Sequence, residues 1–413
     1  MNPQKVNADD LLNNLTNVKG IKCWGAHTGI KSMRRDLAII YSEQPAHAAA
    51  TFTQNDVVAE PVKLSKKHIA DNLAQVIVIN AGNANAATGE QGYRGAEAMA
   101  RTTAKALDID QEMVLVASTG LIGEPFPTED IVEGIKVNIP KLSNDPKAGS
   151  FAANAILTTD TFAKEGHISF ELAGKEINIA GIAKGSGMIH PNMATMLAFV
   201  VTDAAIDKQL LDKTFKKAVD RSFNMITVDG DTSTNDMAAV LANGMAGNKE
   251  IKSENDPNFA VFEEHLVEMM MHLAKLIISD AEGASKFVEY RINHAESYDT
   301  ARKIARAVSD SLLVKTAMFG RDPNWGRIIM AAGNAGANFK ADQVDLFIGN
   351  QKELVQVLDK GMPMDFNKNL IKKLLRESHI RVHLSLNNGK EEATAWGSDI
   401  TTDYVMFNSV YTT

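Results

Sequence analysis

A single threonine sits where covalent chemistry could be done. In KGSGMIHPNMATMLAFVV, residues 184–201, a Gly-Ser-Gly loop and a His-Pro turn lead to Ala194-Thr195, and an apolar, strand-like run follows at once. That order sets the Thr195 hydroxyl at the mouth of a buried strand, where a cleft can reach it and the strand behind fixes it. A threonine hydroxyl is a poor nucleophile without an adjacent base, and one chemical solution is to cut the chain before it, so that its own α-amine serves. An α-amine titrates at about 8, so it takes and returns a proton at working pH with little penalty. Judged by spacing alone, a strand-edge threonine with no catalytic role is the commoner arrangement.

Glycine, small and polar residues also gather in NAGNANAATG (80–89), STGLIGEPFP (118–127), VDGDTSTNDM (228–237) and FGRDPNWGRI (319–328). Globular cores do not need such segments, so each is a candidate site loop. Each is equally compatible with a tight turn or a strand end. His379 and His383 share one face of a strand pattern, but no third ligand of suitable spacing accompanies them, and no metal site is expected. NAGNANAATG lacks the Gly-Lys-Ser/Thr ending of a phosphate loop, and no GxGxxG follows a predicted strand. DGDTSTND reads better as a hydrogen-bonded loop lining a cleft than as a carboxylate metal site. No nucleotide, metal or coenzyme requirement is expected.

The elements that must hold these segments are mixed. Strand-like runs fall at Leu37 to Tyr41, Val76 to Ile79, Met113 to Val116, Ile177 to Ile182, Val344 to Ile348, Ile380 to Leu386 and Tyr404 to Phe407. Helical spacing is clearest from Phe259 to Ile278, where Phe259, Phe262, Leu266, Met269, Leu273 and Ile277 make one apolar stripe. Leu210 to Phe223 and Asp299 to Val308 follow the same pattern, the latter with Asp299 as the expected cap. Pro140 to Gly149 and Lys249 to Asn258 read as surface loops or boundaries. Asn387-Asn388-Gly389 predicts a hairpin between the strands on either side. The fold class is mixed α/β.

Composition narrows the partners. The 413 residues carry a formal charge of -8 and a pI of about 5.7, which argues against nucleic acid as the main partner. By length, two or three domains are expected. The lone Cys23 excludes an intrachain disulfide and fits a reducing compartment. The N-terminal stretch has neither a secretory apolar core nor a transit-peptide composition. The most apolar windows, Gln75 to Asn80 and Met196 to Thr202, fall far short of the roughly 20 residues of a membrane helix. A cytoplasmic protein without membrane association is expected.

Taken together, KGSGMIHPNMATMLAF, TVDGDTSTND, STGLIG, FGRDPNWGRI and the terminal NSVYTT resemble the ornithine acetyltransferase family, the bifunctional glutamate N-acetyltransferases of arginine biosynthesis. The matches run in family order over nearly the whole chain. The resemblance implies an N-terminal-nucleophile-like layered sheet-and-helix fold of the ornithine acetyltransferase/DmpA type. It implies self-cleavage between Ala194 and Thr195 into an α chain, 1–194, and a β chain, 195–413, which stay associated, two of each in a heterotetramer. Thr195 would take acetyl from N2-acetylornithine and pass it to glutamate, with no cofactor. Acetyl-coenzyme A as a second donor is left open. Thr119 and Gly120 match the family's oxyanion pair. The implied substrate contacts are Thr158, Lys184, Thr195, Glu282, Asn408 and Thr413, with Lys184 suited to an α-carboxylate and Glu282 to an amine.

Two other readings stand beside this one. An N-terminal-nucleophile amidase or aminopeptidase of similar fold would use water in place of glutamate, so glutamate would not raise turnover of N-acetylornithine. A non-catalytic amino-acid-binding protein would need the reactive positions degraded, whereas Thr119, Gly120, Lys184 and Thr195 are all present.

Overall fold

The computed structural model of the chain describes residues 14–190 and 196–410. The apolar window after Thr195 becomes the strand Leu197–Thr202, buried along its whole length. Side chains alternate across a strand, so complete burial requires cover on both faces. Ala198 and Val200 enter one core with Phe215, Leu266 and Val288, while Leu197, Phe199 and Val201 enter another with Ile40, Ile182 and Leu241. Met237–Ala242 runs parallel beside this strand, beginning with Met237 opposite Leu197. On its other side Lys175–Lys184 runs antiparallel and ends with Lys184 opposite Leu197. Lys184, Met196 and the start of Met237–Ala242 therefore share one end of the sheet.

Among the described residues this sheet has eight strands. Val114–Leu121, Leu73–Asn83 and Leu37–Phe52 continue it on one side, Lys164–Leu172 closes the other edge, and Ile21–Ala26 pairs with the first part of Leu37–Phe52. Two adjacent strands from after residue 194, Met237–Ala242 and Leu197–Thr202, lie between strands from before it. A second sheet of seven strands runs from Met362–Pro363 through Leu354–Asp359, Asp345–Asn350, His379–Ser385, Phe287–Ala295 and Glu391–Ser398 to Ile226–Thr227. Helices Lys208–Arg221, Phe259–Ser279 and Tyr298–Asp310 join the two sheets in one continuous core. The expected stripe of Phe259–Ser279 is the buried face of that helix. Three further helices, Glu60–His68, Gly89–Leu107 and Thr128–Asn138, pack with strands Leu73–Asn83 and Val114–Leu121 in a third core. The mixed α/β class is as expected.

Four local expectations are corrected. Tyr404 to Phe407 is not a strand but part of the helix Thr402–Val410. Its start is set by Thr401, whose hydroxyl accepts from the Asp403 and Tyr404 N–H groups, a cap that outweighs the β propensity of the run. The strands flanking Asn387-Asn388-Gly389 do not pair with each other, because Phe287–Ala295 lies between them, parallel to one and antiparallel to the other. The helix Tyr298–Asp310 is capped by Ser297, which accepts from Thr300 N–H, and Asp299 stands in its first turn. Pro140 to Gly149 is only partly loop: Asp145 caps a helix, Pro146–Ala155, that begins inside it.

Candidate active site

At the shared sheet end lies a cavity of about 460 Å³. Thr119, Gly120, Thr158, Lys184, Glu282 and Asn408 all line it, and Met196 and Leu197 form part of its wall. The remaining candidates, Ala194, Thr195 and Thr413, lie outside the described residues. The six residues come from five separate stretches of chain, so their meeting is a tertiary fact.

Each wall has a local cause. Thr119 and Gly120 end the strand Val114–Leu121, which pairs in parallel with Leu73–Asn83 and slips register between Gly82 and Asn83. Gly120 has φ +135°, and a Cβ there would collide with the Gly82 and Asn83 backbone, so only glycine lets the two strand ends close up. The Lys184 ammonium reaches across to the Thr119 hydroxyl at 3.4 Å. Gly187, in the next turn, leaves the space that the Glu282 carboxylate occupies. Glu282 is fixed by its N–H, which donates to Ser186 O at 3.0 Å, and its carboxylate accepts from Asn408 Nδ2 at 3.1 Å.

The polar segment 228–237 is a hydrogen-bonded wall, as its composition implies. Asp229 accepts from the Met188 and Ile189 N–H groups at 2.7 and 2.9 Å, and from the Tyr404 hydroxyl at 3.2 Å. It thereby ties the turn that leads into residue 191 to the C-terminal helix. Burial and the Asp229 charge push the Tyr404 phenol well above its usual range, so that it stays a donor. Asn235, buried, donates through Nδ2 to both Ala84 O and Ser118 O and so pins two other glycine-rich segments to this one. Asp236 lines the cavity and is 2% exposed, and its Oδ2 makes no hydrogen bond among the described residues. FGRDPNWGRI does not join them: Asp322 to Gly326 line a separate surface groove with Phe366, Lys368 and Lys372.

Beneath the cavity is a set of residues that the sequence reading passed over. Lys164, fully buried, donates to Asp160 Oδ1 and to Asp280 Oδ2, each at 2.6 Å. Asp160 also accepts from the Thr158 N–H at 3.0 Å and the Gly185 N–H at 2.7 Å. Asp280 accepts from the N–H and hydroxyl of Thr161, and its carbonyl takes the Ser186 hydroxyl. One buried cation thus locks the Thr158, Lys184 and Glu282 segments together. Burial alone pushes the Asp160 carboxyl upward, but the charges of Lys184 and Lys164 and its hydrogen bonds hold it well below the usual carboxylate range. The only local signal was Asp160, two residues after Thr158. Lys164 begins an alternating strand, KEGHISFEL, where a lysine reads as solvent-facing.

Comparison with known proteins agrees with the motif resemblance. The ArgJ family model matches residues 22–413. The arginine biosynthesis bifunctional protein ArgJ of Caldanaerobacter subterraneus subsp. tengcongensis is 48% identical over 395 residues, covering 96% of this chain and 97% of its own. The chain belongs to the ArgJ family. This is the ornithine acetyltransferase family named by the motifs, and its members are acyltransferases of arginine biosynthesis. The protein of the same name from Listeria monocytogenes serotype 4b is 46% identical over 401 residues, covering 97% of this chain and 98% of its own. Among solved structures, arginine biosynthesis bifunctional protein argJ from Bacillus halodurans aligns at 39% identity and TM-score 0.43, over 44% of this chain and 95% of that one. Among the described residues, no helix is long and apolar enough to cross a membrane.

Proposed function

We propose that this chain transfers acetyl from N2-acetylornithine to glutamate through an acetyl ester on Thr195, after cutting itself between Ala194 and Thr195. Acetyl transfer between ornithine and glutamate is the activity that family membership carries. The observation that supports the finer reading is the cavity, where six residues matched to the family's site meet beside Met196, the residue covalently next to Thr195. In the intact chain the Thr195 hydroxyl attacks the Ala194 carbonyl, the C–N bond breaks, and water hydrolyses the resulting ester to leave 1–194 and 195–413 as separate chains. In the cut enzyme the same oxygen attacks the acetyl carbonyl of N2-acetylornithine. Its proton goes to the threonine amine and then to the departing ornithine nitrogen, and glutamate reverses the sequence.

The site chemistry is suited to both halves. Each passes through a tetrahedral oxyanion, for which Thr119 and the Gly120 N–H are the donors at the cavity wall. Lys184 offers a cation to the α-carboxylate that ornithine and glutamate share, and Glu282 with Asn408 an acceptor and a donor for the amine end. The two chains, held together by the shared sheet, form the unit that assembles as a heterotetramer.

Denaturing electrophoresis and N-terminal sequencing test the cut: bands of roughly 21 and 24 kDa, in proportion to length, with the second starting at Thr195. Thr195→Ala is expected to remain one full-length band and to lose transfer. Double-reciprocal plots at several glutamate concentrations are expected to be parallel, and intersecting lines would defeat the acetyl-enzyme. Running the assay with N2-acetylornithine or acetyl-coenzyme A as donor, with and without glutamate, separates transferase from amidase and shows whether both donors are used.

A further inference from the structure

Lys31 is a half-buried cation that the reaction as described leaves unused. It stands in the connection between the strands Ile21–Ala26 and Leu37–Phe52. That connection is built around the buried Asp36 carboxylate, which accepts from the N–H groups of Thr28, Gly29 and Lys31 and from the Thr28 hydroxyl. From this ring the Lys31 side chain spans two walls of the site. Its stem passes over Gly82, where a Cβ would crowd the Lys31 Cγ, and Gly82 pairs with Gly120 in the sheet. Its ammonium donates to Leu157 O at 2.8 Å and to Ala155 O at 3.4 Å.

Those carbonyls lie at the end of the helix Pro146–Ala155, whose last turn has no basic residue of its own. A cation brought from another segment meets the negative end of the helix there. The Leu157 carbonyl also belongs to the same peptide unit as the Thr158 N–H, which donates to Asp160 Oδ2 at 3.0 Å. A peptide unit is planar, so Lys31 at its oxygen and Asp160 at its N–H fix the plane from both ends. The direction in which the Thr158 side chain leaves the backbone is thereby set. Beyond it, the Arg34 guanidinium donates to Thr158 O at 3.5 Å.

Lys31 is not one of the residues that line the cavity, and its ammonium is committed to two carbonyls, so it acts on substrate only through another group. Burial lowers the Lys31 ammonium to about 8, with Arg34 and Lys184 adding to the effect and Asp36 and Asp160 opposing it. A methionine of similar length would cover Gly82 without that desolvation, so the work of the charge lies at the 155 and 157 carbonyls. We propose that Lys31 is a positioning residue for acyl transfer: its ammonium orients the Leu157–Thr158 peptide, and through it the Thr158 side chain, in the cavity that Thr119 and Gly120 share. This inference rests on the reading of Thr158 as a substrate contact.

The test is a double-mutant cycle in the full-length protein, with Lys31→Met, Thr158→Ala and the pair, read by steady-state kinetics with N2-acetylornithine and glutamate. Each single variant is expected to raise KM for N2-acetylornithine about 10-fold with kcat within about threefold of wild type, because the contact Thr158 makes is present in ground and transition states alike. The pair is expected to be no worse than the worse single, since without the Thr158 side chain nothing is left for Lys31 to position. Effects that multiply overturn the proposal, because a general loosening of the fold acts whether or not Thr158 is present. So does a Lys31→Met enzyme that keeps the wild-type KM or loses kcat alone. If Lys31→Met does not fold, Lys31→Gln, which retains a donor for one carbonyl, enters the same cycle with the same outcomes. A Thr158→Ala enzyme with wild-type KM removes the substrate-contact reading and the inference with it, whereas an impaired Thr158→Ala beside an unimpaired Lys31→Met removes the inference alone.

Discussion

Two lysines stand on opposite sides of one cavity wall and do unlike work. Lys164 is sealed between Asp160 and Asp280 with no exposed side-chain surface. Lys184 opens on the cavity and donates to the Thr119 hydroxyl at 3.4 Å. A cation with two carboxylates on it has its charge balanced by the fold and serves to hold segments together. Lys184 is hydrogen-bonded to a hydroxyl rather than held between two carboxylates, and although its charge also acts on Asp160 and Asp236, its ammonium faces the cavity where a ligand can meet it. The difference lies in partners, since the residue type is the same.

Lys164→Met carries the largest expected effect. It leaves two buried carboxylates without their shared cation, which typically costs about 3 to 5 kcal/mol, and denaturant unfolding is expected to show a loss of that size. Lys184→Ala is expected to leave the unfolding midpoint nearly where it was. Equal losses of stability in the two variants would break the comparison. Thr119→Ala, at the tip of Lys184, probes the working side: kcat is expected to fall on the order of 100-fold with KM little changed, and the cut to slow as well. Normal kcat and a normal cut would put the oxyanion donors elsewhere.

Lys184→Ala itself is expected to raise KM about 10- to 100-fold, the size of a hydrogen bond to a charged group, because the carboxylate it holds is present in ground and transition states alike. A fall in kcat with unchanged KM would make Lys184 part of the oxyanion machinery instead. The smallest effect concerns Glu165, the residue beside Lys164, which is half-buried, accepts a hydrogen bond from the Ser150 hydroxyl and is pushed up to about 7 by desolvation. A folded-state value above the unfolded one, about 4.5, means a contribution that is full below pH 4.5 and is lost as pH rises through 7. Relative to wild type, Glu165→Gln is therefore expected to gain in melting temperature between pH 5 and pH 8. No change in that difference would place a counter-charge near Glu165.

The sequence by itself determined the family, the strand after Thr195 and the amphipathic helix Phe259–Ser279, because long specific blocks, continuous apolar runs and regular periods are carried by neighbours along the chain. It also drew attention to four of the loops that meet at the cavity, since glycine and small polar residues mark turns wherever they fall. It did not reveal that FGRDPNWGRI stands apart from them, that Phe287–Ala295 separates two strands that read as a hairpin, or that Thr401 turns a β-prone run into a helix. Those outcomes depend on competition between local propensity and partners far away in sequence. Lys164, Asn235 and Asp236 show the same limit at the level of side chains. Whether a charged or amide group is buried, and against what, is decided by the segments that close over it, and only the tertiary structure brings Asp160 and Asp280 to one lysine and, among the described residues, leaves one oxygen of Asp236 without a donor.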